Sequence, residues 1–262
     1  MRSLCSLRCQ VAGEHLGGLI APPVRAGSAR LSSGAAWFVA LMFSLWWDVA
    51  SFAVLLAVVA AIAARQSARS LGADQLFSSL LAGLGPLAAA VSGRAAGAVL
   101  IGAVVVSALL AWFVPRGGKA PSRGIAAWGT AVTAWLPAFA ATTALVLTAQ
   151  RELGAAVAFC VAAGLYDSGV YLIGVDARRS SSGVLAGCLG ALAVMFSAVQ
   201  LAIPPFEPAN GWRFAILLVA SLPLGAAVAR WLSLGEGWAV RRLDVWMVAA
   251  PVWAWAVAAA VG

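Results

Sequence analysis

From residue 35 onward the chain is one apolar run after another, broken only by charged or Pro/Gly-rich connectors. Residues 35–64 are apolar apart from Ser44, Asp48 and Ser51. Further runs follow at about 76–91, 95–114, 124–148, 154–174, 183–203, 212–230 and 241–261. A helix that crosses a bilayer needs about 20 such residues. Within lipid every backbone N–H and C=O must find a partner inside the protein, which leaves only helices and closed barrels. The alternation that marks a barrel strand does not occur in these runs. The sequence therefore predicts an all-α fold, a polytopic membrane helical bundle. Composition agrees: 63% of the 262 residues are hydrophobic and 10% charged, against about half and a quarter in soluble domains.

The first run is long for one helix, and a single span would hold Asp48 near its centre, where a charge is costly. Two shorter helices, about 35–46 and 49–64, are preferred. They put Trp46, Trp47 and Asp48 at an interface, the level that tryptophan favours. About nine transmembrane helices result. This count also sorts the cations. One set of connectors holds the N-terminal arm, Arg65, Arg69, Arg116, Lys119, Arg123, Arg178, Arg179, Arg230, Arg241 and Arg242. The other holds Arg94, the Arg151–Glu152 pair and the connector from Glu207 to Arg213. The positive-inside rule makes the first set, and with it the N-terminus, cytoplasmic.

Residues 1–34 contain Arg2, Arg8, Glu14, Arg25, Arg30 and Pro22-Pro23, with no continuous apolar stretch of the kind a secretory signal carries. A largely disordered, basic, cytoplasmic arm over 1–34 is expected, followed by a transmembrane domain over 35–262. Cys5, Cys9, Glu14 and His15 match no standard zinc spacing. Cys160 and Cys188 fall in apolar runs and read as small apolar residues. The net charge of +8 is scattered singly between the runs, as topology anchors are, so no nucleic acid is expected as a partner. Lys119 is the one lysine among 17 cations, beside abundant Ala and Gly. That bias points to a GC-rich, bacterial genome and hence to a cell (inner) membrane.

Acids in or at the edge of a span are the informative residues, because lipid makes them expensive. Asp167 lies late in its run, within Leu165-Tyr166-Asp167-Ser168-Gly169-Val170-Tyr171, and Asp244 opens the last run at the same face. Asp176 follows in the connector. Carboxylates so placed can hold a divalent metal, and Arg178, Arg179, Arg230, Arg241 and Arg242 can grip phosphate in a forked geometry. Together they suit a phosphate-bearing substrate at the interface. The same arginines also read as topology anchors, and Asp244 as an acid at a helix N-terminus; Asp167 is the hardest to account for in that way. The sole histidine is His15, so histidine acid–base chemistry in the membrane domain is excluded.

At these residues the chain resembles the phosphatidate cytidylyltransferases (CDP-diacylglycerol synthases), multi-spanning enzymes that transfer CMP from CTP to phosphatidate using a divalent metal. Their signature reads about Gly-His-Gly-Gly-x-x-Asp-Arg-x-Asp, followed by a span with Ala-Ala-Pro. Residues Gly235-Glu236-Gly237-Trp238-Ala239-Val240-Arg241-Arg242-Leu243-Asp244 align with it without a gap, and Ala249-Ala250-Pro251 follows at the proper distance. Upstream, Asp167-Ser168-Gly169-Val170-Tyr171-Leu172-Ile173-Gly174 is similar to the family's Asp-x-x-Ala-Tyr-x-x-Gly. The resemblance covers roughly residues 120–262 and, before them, only the layout of spans.

The resemblance implies an all-α membrane fold and formation of CDP-diacylglycerol in phospholipid biosynthesis, with phosphatidate and CTP as substrates in the lipid bilayer. It also implies Mg2+ as cofactor and leaves room for a homodimer. Asp167, Asp244 and Arg242 would be the catalytic residues. Asp167 and Asp244 would hold metal with Glu236 as a third ligand, and Arg178, Arg179, Arg241 and Arg242 would bind substrate phosphates. Several positions depart from the pattern. Glu236 replaces the signature histidine and Arg241 its first aspartate. Arg178-Arg179-Ser180-Ser181-Ser182-Gly183 replaces a lysine-rich stretch, and of the basic stretch before the signature only Arg230 has a counterpart. Arginine in place of a metal-binding aspartate reverses the local charge and repels a divalent cation. Two other functions therefore stay open: an inactive homologue that binds a lipid phosphate or a partner protein, and a small-solute transporter whose acids would line a path through the membrane.

Overall fold

The structure, a computed structural model, describes residues 28–113, 124–174 and 181–261. These residues form ten helices and no strand. In chain order they are α1 (Ser28–Trp47), α2 (Val49–Leu71), α3 (Gln75–Val91), α4 (Gly93–Phe113), α5 (Ile125–Arg151), α6 (Leu153–Gly174), α7 (Ser181–Gln200), α8 (Gly211–Trp231), α9 (Trp238–Leu243) and α10 (Trp246–Val261). Seven segments are long and apolar enough to cross a membrane, the α9–α10 pair counting as one over Trp238–Val261. Two shorter apolar helices, Gly34–Trp47 within α1 and Gln75–Val91, complete nine among the described residues. The chain is a multi-pass membrane protein with an all-α bundle.

The division of the first long run falls at the expected place. Asp48, in extended backbone with φ −172°, separates α1 from α2, and its carboxylate accepts the Ala50 N–H at 3.2 Å. Trp46 and Trp47 beside it are 79% and 69% exposed. Helix α1 begins at Ser28, earlier than the expected boundary at residue 35. Residues 1–27, including Cys5, Cys9, Glu14 and His15, lie outside the described residues, as do the connectors with Lys119 and with Asp176, Arg178 and Arg179.

Helix α5 is the axis of the bundle, packed by α2, α3, α4, α6 and α10. Its Trp135, Phe139, Leu145 and Val146 are buried. Polar groups inside are satisfied locally or between helices, as lipid demands. Trp135 Nε1 donates to Ser107 Oγ at 3.1 Å, and Thr142 and Thr148 donate to carbonyls one turn back. Pro223 cannot donate to Val219, four residues earlier. The Cys188 thiol takes the vacant place, with its sulfur 3.9 Å from the Val219 oxygen.

Small residues set the closest crossing. A Cβ on Gly169 would come within 2.6 Å of the Gly187 nitrogen, and one on Gly187 within 2.7 Å of the Tyr166 oxygen. Helices α6 and α7 thus meet almost backbone to backbone, the packing that glycine permits in membranes. Aromatic rings tie this pair to the rest: Phe159 packs on Trp246 and Trp253, and Phe206 and Phe214 close on Trp253.

Successive spans joined by short connectors alternate in direction, so the connectors sort onto two ends of the bundle. One end gathers Arg65, Arg69, Arg230, Arg241 and Arg242 and is called here the arginine-rich end. The other carries Asp48, Arg94, Arg151, Glu152, Glu207 and Arg213.

Candidate functional site

The last span differs from the continuous helix expected over 241–261. Helix α9 stops at Leu243 and α10 starts at Trp246. Asp244 causes the break. Its Oδ1 accepts the N–H of the next residue, Val245, at 2.6 Å. An uninterrupted helix would give that N–H to a carbonyl four residues back, so the side chain competes with the helix for it. Helix α8 fits into the break. Gly225 abuts the Asp244 and Val245 carbonyls so closely that no side chain fits at that position.

A second contact holds the other side of α9. Gln66, late in α2, accepts through Oε1 from the N–H groups of Ala239 at 3.2 Å and Val240 at 3.3 Å. Ser70, one turn on, donates to the Ser233 carbonyl at 3.2 Å. The chain between them turns at Gly235 with φ +92°, a backbone region that glycine enters without strain. The guanidinium of Arg242 rests against Gly34 in α1, 3.5 Å from where a Cβ would stand. So the Arg241–Asp244 segment is fixed by α1, α2 and α8 together.

Asp167 approaches the same place from α6. It is half-buried, and its charge interacts with those of Asp244 and Arg242. Asp244, also half-buried, interacts in turn with Arg230, Arg241 and Arg242. Among the described residues the Asp167 carboxylate takes part in no hydrogen bond and caps no helix. Tyr171, one turn further along α6, has a buried hydroxyl without a hydrogen-bond partner.

The expected site residues therefore divide into three groups. Asp167, Asp244 and Arg242 lie within electrostatic range of one another, and Arg230 and Arg241 within range of Asp244. Glu236 is occupied elsewhere: it is largely exposed and pairs with Arg241 at 3.2 Å. Arg178 and Arg179 lie outside the described residues. No three His, Cys, Asp or Glu side chains gather among the described residues in a way that could hold a metal ion. Asp167 and Asp244 lie within electrostatic range of each other, and Mg2+ is usually held by one or two carboxylates together with substrate phosphates.

Gln66 was not visible as a site residue in the sequence. Its only local mark is an amide beside Arg65 in a helix otherwise lined by Ala, and its partners lie 173 and 174 residues away. Gly235 and Gly237 stood out in the sequence only as positions of the family signature, not as the place where Gln66 approaches. Compared with models of known protein families and with curated proteins, the chain matches none of them.

Proposed function

We propose that the acid–arginine cluster at the arginine-rich end binds a lipid phosphate, and that the chain is a divergent phosphatidate cytidylyltransferase-like membrane protein. The reaction would be CMP transfer from CTP to phosphatidate, giving CDP-diacylglycerol and pyrophosphate. The observation that carries this reading is that Asp167, half-buried in α6, lies within electrostatic range of Asp244 and Arg242, from a segment far away in the chain, at one end of the bundle. Half-buried acids are costly in a membrane protein and mark sites. Arginines beside them supply the planar, multidentate donors that phosphate needs.

Arg242, with Arg230 and Arg241, would orient the phosphates and balance the charge that develops as the phosphoryl bond exchanges. Positioning and charge stabilisation carry most of the acceleration in such transfers, so no side-chain nucleophile is required. Asp167 and Asp244 would hold a Mg2+ shared with substrate phosphates; bound there, the ion neutralises phosphate charge. Positive-inside asymmetry makes the arginine-rich end, and the N-terminus, cytoplasmic in a bacterial cell membrane, where CTP is available.

A second reading is a non-catalytic homologue that binds phosphatidate or another phosphate-bearing lipid. The Glu236–Arg241 pair favours it, because among the described residues Glu236, the expected third metal ligand, is engaged with Arg241.

Purified protein in detergent, given radiolabelled CTP and phosphatidate with and without Mg2+, separates the two. Metal-dependent CDP-diacylglycerol establishes the enzyme. No product beside an active control, with phosphatidate still bound, establishes the non-catalytic reading. Neither product nor binding refutes both.

A further inference from the structure

We infer that Gln66 is a positioning residue: by capping α9 from a neighbouring helix it sets where Arg241, Arg242 and Asp244 stand. Its use for a lipid phosphate rests on the function proposed above.

The first N–H groups of any helix have no partner within it. Most helices solve this with a side chain at the capping position. In α9 that position is Gly237, which has no side chain to offer. Gln66 supplies the missing acceptor from α2, taking the Ala239 and Val240 N–H groups on one oxygen. The two features require each other. A Cβ on Gly237 would run into the Gln66 amide, so the glycine that leaves α9 uncapped also makes room for the cap. Ser70 and Gly235 hold the approach to α9 on the same stretch of α2.

The consequence reaches the cluster through a short, stiff path. Helix α9 spans six residues, Trp238–Leu243, with its end at the Asp244 break. Both arginines lie in its last turn. A rotation of α9 released at its N-terminus would move both guanidinium groups and the Asp244 carboxylate together. Gly225 behind the break limits where they could go, but does not fix the rotation.

The test uses the full-length protein in lipid nanodiscs. Hydrogen exchange at the Ala239 and Val240 amides and the affinity for phosphatidate, relative to phosphatidylcholine, are measured for wild type, Gln66→Leu and Gln66→Glu. Gln66→Leu removes the acceptor. Its expected effects are faster exchange at both amides and about a tenfold loss of phosphatidate affinity, with the melting temperature little changed. Gln66→Glu keeps an oxygen acceptor and makes it charge-assisted. It is expected to restore slow exchange and to hold affinity within about threefold of wild type. Rescue by glutamate separates positioning from general loss of fold. Wild-type exchange in Gln66→Leu would overturn the inference, and so would faster exchange with undiminished phosphatidate affinity. If wild type itself does not prefer phosphatidate, the proposed function fails on its own; the exchange comparison then still decides whether Gln66 holds α9.

Discussion

At one end of the bundle Asp48 accepts an N–H from the first turn of α2, and Asn210 accepts from Glu207 N–H while donating to the Pro205 carbonyl. Each of these polar groups closes a connector. At the arginine-rich end Asp74 does the same work, accepting the Phe77 N–H at 2.7 Å. Asp167 and Asp244 do not follow that pattern. Asp167 caps nothing, and Asp244 breaks a helix instead of starting one. Both ends carry charge and exposed tryptophan, so neither charge nor exposure distinguishes them. The difference lies in half-buried acids within range of arginines: Asp167 has no capping task, and Asp244 interrupts a helix.

The sharpest way to break this contrast is to neutralise those acids. Asp244→Asn and Asp167→Asn are expected to lower CDP-diacylglycerol formation at least about 100-fold, on the scale of losing a preorganised charge, with expression and melting temperature near wild type. Turnover within a few fold of wild type in either variant would remove that residue from the site. If the protein proves to be a binder only, the same pair is read out by phosphatidate affinity.

The next effect is on the scaffold that brings Asp167 to its partners. Gly169→Val places side-chain atoms against the Gly187 backbone, and overpacking of this kind costs about 1–3 kcal/mol. A lowered melting temperature in detergent is expected, accompanied by weaker lipid-phosphate binding because α6 carries Asp167. A variant as stable as wild type would mean that α6 and α7 do not meet where the structure has them.

Asp48→Ala sharpens the contrast from the other side. Loss of this cap is expected to cost about 1 kcal/mol of stability and to leave phosphatidate affinity unchanged. Reduced affinity would mean that the two ends are not separable. Gln150→Leu, which removes the 2.8 Å hydrogen bond to the Ala90 carbonyl at that same end, is expected to cost about 1 kcal/mol or less, again without effect on binding.

Much of this fold was legible in the sequence, because lipid leaves the chain few choices. Run length located the spans, and Trp46-Trp47-Asp48 divided the first run where α1 and α2 in fact part. Gly187 and Gly190 lie against Tyr166 and Leu165, a spacing of small residues of the kind that lets membrane helices approach closely. The break at Asp244 was not legible. Hydropathy sees only the charged edge of the last run there, while the break depends on one side chain capturing the next N–H. Of the candidate site, Asp167 and Asp244 could be picked out because acids are scarce in the spans, and Arg242 as one of the arginines at the same face that also falls in the family signature. Their meeting could not be derived, since it depends on how α6, α8 and α9 pack. The Gln66 cap was hidden for the same reason; the Glu236–Arg241 pair is local and depends on the turn before α9. A polar residue near a membrane interface looks alike in sequence whether it faces a ligand, a neighbour or water.

The most direct test compares arginines at the two ends. Phosphatidate affinity is measured in nanodiscs for Arg230→Gln/Arg242→Gln and for Arg151→Gln/Arg213→Gln, each pair removing two positive charges. Affinity is expected to fall at least about tenfold, the scale of losing charge-assisted phosphate contacts, in the first variant and to stay at the wild-type value in the second. Equal affinities in the two variants, whether both lowered or both unchanged, would contradict a lipid-phosphate site at the arginine-rich end.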